Sequence, residues 1–206
     1  MVVIYDLFNR INTGGTQLNR QEVRNCIFIG KSTRLLKELS EQDYFKTSID
    51  YGIRDTRMKD REVVLRYIAF RWFEYLQEYS GDMSEYVENA MKKINKIEDA
   101  KIVIIKTDFK RVMEWSYNIW KQQNFRIPTQ NTRGTINTAI LESVCNYLSH
   151  TTDEFLKKNR NTIKANYTKL IRHTQYLESV TKSTGNKQKV FDRFRLAKEI
   201  LNKDTK

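Results

Sequence analysis

A single proline, Pro128, and only seven glycines punctuate 206 residues. So few breakers argue against many short strands joined by tight turns, and the abundance of Lys, Glu, Leu, Ile and Asn favours long helices. The two cysteines, Cys26 and Cys145, lie far apart and form no pair motif. No disulfide or zinc framework is expected from them, and two reduced, buried thiols are the plain reading. There are only two histidines, His150 and His173, and no Cys/His spacing suggests a metal. No stretch approaches the roughly 20 apolar residues needed to span a bilayer. The first apolar run, Val2 to Tyr5, is broken at once by Asp6 and has no basic flank, so it does not read as a signal peptide. A cytoplasmic chain without a membrane partner and without a cofactor is expected.

What is present is a core-forming composition with a lopsided charge. Apolar residues make up 39% and aromatics 12% of the chain, which argues against wholesale disorder. The formal charge is +12. Residues 157–206 hold 14 Lys/Arg against 4 Asp/Glu, a net of +10, whereas residues 1–156 hold 23 against 21, a net of +2. Such asymmetry points to an acidic partner, most often nucleic acid. Electrostatics alone supports only non-specific, salt-sensitive binding, here expected with DNA. A lysine-rich tail that only keeps the protein in solution is the bland alternative.

Val2 to Ile11 reads as the end of a helix, and Asn12 to Thr16 as a turn. Asn19-Arg20-Gln21-Glu22 has the form of a capping box, opening a helix to about Ile29 with Gly30 as its stop. A short helix is expected over Ser32 to Leu39, then a long polar loop over 41–59. Asp60 caps the most apolar segment, Glu62 to Tyr79, whose aromatic and aliphatic residues cover too much of the circumference for a surface helix. Within it Arg66 can pair with Glu62 at i,i+4, and Arg71 has no obvious local partner. Further helices are expected over Met83 to Ile94, Ile97 to Asn124, Thr135 to Leu148, from Asp153, over Asn161 to Val180, and over Val190 to Leu201. A connector occupies 125–134 and a break Ser183 to Asn186. The architecture expected is all-α, a multi-helix bundle of about eight to ten helices with no β-sheet.

The segment Phe8-Asn9-Arg10-Ile11-Asn12-Thr13-Gly14-Gly15-Thr16-Gln17-Leu18-Asn19-Arg20-Gln21-Glu22-Val23-Arg24-Asn25 closely resembles a signature of the bacterial family known as domain of unknown function 262. That family is also described as the N-terminal domain of GmrSD-type restriction endonucleases. Asp60 to Tyr67 and Arg133 to Ala139 are similar to the family's helical region. The resemblance implies a front α/β portion with an Asp-Gly-Gln-Gln-Arg motif for nucleotide binding and hydrolysis. An F-x-x-x-N motif contributes to that site, a helical region follows, and some members add an HNH nuclease. The implied biology is restriction and defence against foreign DNA. Phe8 and Asn12 match F-x-x-x-N, but neither Asp-Gly-Gln-Gln-Arg nor an HNH His-x-x-Pro occurs in the chain. The resemblance sets off 1–30 as a remnant of the front portion, and the charge split divides the rest into 31–156, a helical core, and 157–206, a basic helical region. The resemblance also implies a truncated gene, an expressed fragment, or a split gene whose partner chain carries the front domain.

The candidate residues follow. Phe8, Asn12, Gly14 and Gly15 form a residual nucleotide-site motif, for which an ordinary glycine turn is the plainer reading. No residue is assigned a catalytic role: His150 reads as capping chemistry, and His173 sits beside Arg172. Lys157, Lys158, Arg160, Lys164, Lys169, Arg172, Lys187, Lys189, Arg193 and Arg195 form a candidate nucleic-acid surface. In the last helix, Phe191 and Phe194 are expected to dock inward while the basic residues face out. Arg54, Asp55 and Arg57 form a charged knot that reads as a solvated salt bridge or as a contact with nucleic acid or the front domain. The apolar Val3, Ile4, Leu7 and Phe8 would need cover, which makes a homodimer a further expectation.

Overall fold

A computed structural model describes residues 17–53, 56–129 and 133–205. Eleven α-helices lie among them: α1 (Arg20–Ile27), α2 (Lys31–Glu41), α3 (Asp43–Ser48), α4 (Lys59–Trp72), α5 (Tyr75–Glu78), α6 (Met83–Lys96), α7 (Asp99–Trp120), α8 (Thr138–Ser149), α9 (Asp153–Leu170), α10 (Thr174–Thr181) and α11 (Lys187–Leu201). Among the described residues no strand forms, and β pairing is limited to one isolated antiparallel bridge between Arg126 and Ile136. The all-α bundle is as expected. The count exceeds eight to ten because α3 and α5 are short helices, of six and four residues, that no long sequence pattern announces. The segment 41–59 is thus not wholly a loop: Phe45 and Ile49 sink into the core at 1% exposure, with Phe45 against Phe109 at 5.6 Å between ring centroids.

Two helices organise the rest. α4 packs on α1, α2, α6 and α8, and α8 packs on α4, α7 and α11, which α9 and α10 flank. In α8 every residue except Thr138 and Asn146 is buried. Its start is set by Asn137, whose Oδ1 accepts from the Ile140 amide at 3.0 Å while its Nδ2 donates to the Val180 carbonyl at 2.8 Å. One side chain thereby caps α8 and docks the end of α10. The other end is held by Arg111 of α7, which donates to the carbonyls of Leu148, Ser149 and Thr151 at 3.0–3.3 Å. These carbonyls lie at and just beyond the helix C-terminus, where a cation meets the helix dipole favourably.

α4 stops at Trp72, short of the expected Tyr79. Phe73 is extended, and the Tyr86 hydroxyl donates to the Ala69 and Phe73 carbonyls at 2.8 and 3.3 Å. The break lets Tyr75 swing onto Phe194, at 4.7 Å, and brings Phe70 within 5.0–5.7 Å of Phe194, Tyr79 and Tyr86. Each such ring pair is worth about 0.5–1.5 kcal/mol beyond its burial. In the C-terminal region α9 is one continuous helix, because Leu156, Ile163, Tyr167 and Leu170 keep a single buried stripe. The break expected near 161 falls instead at His173, which caps α10. The residues of 157–206 share one core cluster with the preceding helices.

The Arg133 to Ala139 segment closes the connector. Gly134 has φ +71°, and a Cβ there would lie 2.4 Å from the Ile127 carbonyl oxygen. Nearby Arg126 is buried, donates to the Gly134 carbonyl at 2.5 Å, and shares Asp50 with Arg133. Burial, and then the Arg133 charge, lower the Arg126 pKa below its ordinary value.

Arg66 does not pair with Glu62. It reaches Glu142 of α8, whose other oxygen accepts from Arg193 of α11 at 2.6 Å. Glu62 instead faces Arg24 at 3.6 Å. The Glu142 and Arg193 side chains are both at 0% exposure, so a charge triad lies in the core. Removing one member strands the others without water. We expect Glu142→Ala to lower unfolding free energy by about 3–5 kcal/mol, and Arg66→Met/Glu142→Leu/Arg193→Leu to regain most of it. Urea denaturation measures both; a cost below about 1 kcal/mol for Glu142→Ala would remove the triad from the account.

Candidate functional site

An open groove of about 830 Å³ lies where the α4–α5 elbow, the C-terminal end of α8 and the outer side of α11 meet. Trp72, Phe73, Tyr75 and Phe191 supply aromatic surface, and Arg71, Lys101, Arg195 and Lys198 supply positive charge. Its rim also holds Glu74, Asp192 and His150. The elbow creates it, since a helix running straight on to Tyr79 would carry Phe73 and Tyr75 elsewhere.

Trp72 carries the most distinctive contacts. The Arg71 guanidinium lies 4.4 Å and the Lys101 ammonium 4.2 Å from its ring centroid, both within cation–π range. Arg71, without a local partner in sequence, pairs with Asp108 at 3.4 Å. Asp108 in turn accepts from the Tyr67 hydroxyl at 2.7 Å and faces Arg111 at 3.7 Å. Arg111 also pairs with Asp153 at 2.9 Å, which accepts from the Trp115 indole at 2.8 Å. A chain of charges therefore runs from the start of α9 through α7 to the groove wall. Burial, followed by the Asp108 charge and hydrogen bond, pushes the Tyr67 hydroxyl well above its ordinary pKa, so Tyr67 acts as a donor at neutral pH.

Of the basic residues singled out in the sequence, Lys157, Lys158, Arg160, Lys164, Lys169 and Arg172 are exposed along α9 and just beyond it. Arg160 donates to the Asn118 carbonyl at 2.5 Å and Lys169 to Asn166 at 2.9 Å. Lys157, Lys158, Lys164 and Arg172 have no ion-pair partner among the described residues. On α11, Lys187 and Arg195 are exposed and Lys189 is half-buried. Lys189 donates to the Lys182 carbonyl at 2.8 Å, and Arg195 is engaged by Glu199 at 2.8 Å and Asp192 at 3.6 Å. Arg193 is a correction. It belongs to the core triad and donates to the Thr184 carbonyl at 2.6 Å, because its place in the helical repeat falls on the same inward side as Val190, Phe194 and Ala197. Phe194 is buried as expected, and Phe191 is half-buried in the groove.

Phe8, Asn12, Gly14 and Gly15, with Val3, Ile4, Leu7, Arg54 and Asp55, lie outside the described residues. The second half of the signature is described, and its residues do structural work. Asn19 caps α1, accepting from the Gln21 and Glu22 amides at 2.8 and 2.9 Å, and Glu22 returns the bond to the Asn19 amide at 2.6 Å. Buried Arg24 donates to Gln21 at 3.0 Å and to Ser84 at 3.3 Å. Arg57 pairs with Glu22 at 2.8 Å, and this bond is the first cause of the lowered Glu22 pKa. Arg57 thus supplies part of the cap.

His150 ends α8, with Nδ1 2.8 Å from the Asn146 carbonyl. The His173 Nδ1 accepts from the Tyr176 amide at 3.4 Å. His150 Nδ1 also lies 3.3 Å from the Ser149 hydroxyl, which itself donates to the Asn146 carbonyl at 2.8 Å as a helix-end contact, and no group of three or more His, Cys, Asp or Glu is placed to hold a metal among the described residues. No helix there is long and apolar enough to cross a membrane. No family model, no curated protein and no solved structure matches the chain.

The groove was missed in the sequence because its parts come from three distant segments. The one usable signal was the Arg-Trp pair at 71–72, an unpaired cation beside an aromatic.

Of the two thiols, Cys145 is buried but Cys26 is exposed, which corrects the expectation of two buried ones. Burial, and then the Asp108 charge, push the Cys145 thiol well above its ordinary pKa. A thiol reagent at pH 8 should label one cysteine rapidly in the folded chain and the second only on unfolding. Cys26→Ser should abolish the rapid phase; two equal rapid phases would contradict the burial of Cys145.

Proposed function

We propose that this chain is a non-catalytic helical module of a GmrSD-like restriction or defence system that associates with nucleic acid through the outward face of α9 and the neighbouring basic residues of α11. The observation that carries the reading is the set of four exposed α9-side cations, Lys157, Lys158, Lys164 and Arg172, without counter-charges among the described residues. Cations already engaged by carboxylates gain little from phosphate, whereas these gain the full counterion-release term. The Asn19 to Arg24, Asp60 to Tyr67 and Arg133 to Ala139 segments support the family reading by sequence resemblance. Their described side chains cap, dock and brace the bundle, which suits a scaffold. Neither a base-reading helix motif nor a catalytic constellation adds to this, so the binding is read as non-specific.

A second reading, a subunit completing an NTPase site with a partner chain, is favoured by Phe8, Asn12, Gly14 and Gly15 alone. It needs an Asp-Gly-Gln-Gln-Arg motif that this sequence does not contain. GTP or ATP hydrolysis by the purified chain would overturn the non-catalytic reading.

Fluorescence anisotropy with a short labelled duplex tests the binding face. Affinity should fall steeply with salt. Changing Lys157, Lys158, Lys164 and Arg172 together to Glu should weaken binding at least tenfold and flatten the log–log salt slope by about 3–4. Unchanged affinity and slope would place the contact elsewhere or remove it.

A further inference from the structure

The groove at the α4–α5 elbow shares no residue with α9 itself, although Arg195 of α11 borders both, and its chemistry differs from that of a bare cationic surface. We infer that it is a binding site for an unpaired base of single-stranded nucleic acid, with Trp72 as the stacking platform. The inference rests on the nucleic-acid reading above and adds a place and a form of ligand to it.

Three observations carry it. The first is the pair of cations at Trp72. Arg71 is anchored by Asp108 at 3.4 Å. Lys101 is exposed and has no carboxylate partner among the described residues, yet its ammonium sits 4.2 Å from the ring centroid. A mobile ammonium held only by a π face is exchangeable: a base can take its place on the ring while the ammonium moves to the phosphate. Both halves of a nucleotide are then satisfied by groups already in position.

The second observation is the shape and lining. The groove is open and, at about 830 Å³, extends past one ring to Tyr75 and Phe191, which meet edge to face at 6.1 Å. A base inside a duplex has both faces covered by its neighbours and cannot reach a recessed tryptophan; a splayed base in a single strand can. The third is continuity of charge. Lys198 lines the groove, is exposed on α11 and has no carboxylate partner among the described residues, so a strand leaving Trp72 meets an unpaired cation on that helix. The acidic groups at the site weaken this only locally: Asp192 is engaged by Arg195 and accepts from Gln188 at 3.2 Å, and Glu74 stands at the exposed rim.

The test titrates the full chain with oligothymidylate and follows both intrinsic tryptophan fluorescence and the anisotropy of labelled oligonucleotide. The unlabelled duplex and thymidine monophosphate serve as competitors. Quenching on addition of the single strand is expected. Trp72→Leu should abolish it and weaken single-strand binding about tenfold, the size of one lost base stack, with duplex affinity unchanged. Lys101→Ala, an exposed substitution, should weaken single-strand binding severalfold with an unaltered melting temperature. It keeps the test decisive should Trp72→Leu fail to fold. Quenching that persists in Trp72→Leu, or single-strand affinity unaffected by Lys101→Ala, overturns the inference. So does monophosphate competing as well as the oligonucleotide, which would make the groove a small-molecule pocket. The two readings separate cleanly. Duplex binding without Trp72-dependent quenching removes the groove and leaves the α9 face; quenching without salt-sensitive duplex binding does the reverse.

Discussion

Glu142 sits at full burial between two arginines from distant parts of the chain, and the bundle's arrangement depends on that one carboxylate. Taking a carboxylate and a guanidinium out of water costs several kcal/mol per ion, repaid only when geometry and further hydrogen bonds are good. Here the partners are Arg66 on α4 and Arg193 on α11, and Arg193 spends a second donor on the Thr184 carbonyl ahead of its own helix. Another register of α4, α8 and α11 would therefore strand a buried charge, and the aromatic cluster of Phe70, Tyr75, Tyr79, Tyr86 and Phe194 packs beside the triad in the register seen.

The groove is a by-product of the same constraint. With α4 and α11 held by Glu142, Phe194 lies beside Phe70, and Tyr75 reaches it only if α4 breaks after Trp72. The broken helix turns Trp72 and Phe73 toward the α8 end, where Arg111 gathers the terminal carbonyls and, through Asp108, steadies Arg71. A cation held by a half-buried carboxylate next to an indole, with an unpaired lysine across from it, is the arrangement on which the single-strand inference rests. The α9 cations are different in kind. They stand on a helix whose inward stripe is filled by Leu156, Ile163, Tyr167 and Leu170, and they point outward because nothing else is left for that face to do.

The resemblance to a restriction-type family rests on short segments, and their described residues can be judged by what they touch. Asn19, Glu22 and Arg24 build and anchor a helix start; Arg66 enters the triad; Arg133, Gly134 and Asn137 shape a connector and cap α8. Each is a residue type that a particular backbone or burial problem requires, such as an Asx cap or a glycine where a Cβ would strike a carbonyl. Such residues are accounted for by the folding of this chain and do not by themselves point to a reaction.

Local chemistry was legible in the sequence. The Asn19 capping box, the helices of α6 and α7, the break before α11 and the outward cations of α9 all depend on neighbours within a turn or two, so spacing and residue type suffice. The centrality of α8 was not legible, because Glu142, Ser143 and Ser149 dilute its apolar pattern and are buried only through partners elsewhere. Arg193 looked like one more surface cation for the same reason: its counter-charge lies 51 residues away. The stop of α4 at Trp72 and the short helices α3 and α5 likewise follow from which rings and hydroxyls meet in space. The sequence by itself determined an all-helical chain with its excess positive charge at one end. Which charges would be buried, where the longest apolar segment would bend, and that Trp72 would meet Lys101 at a groove were decided by tertiary packing, because burial and pairing energies depend on distances that no local pattern encodes.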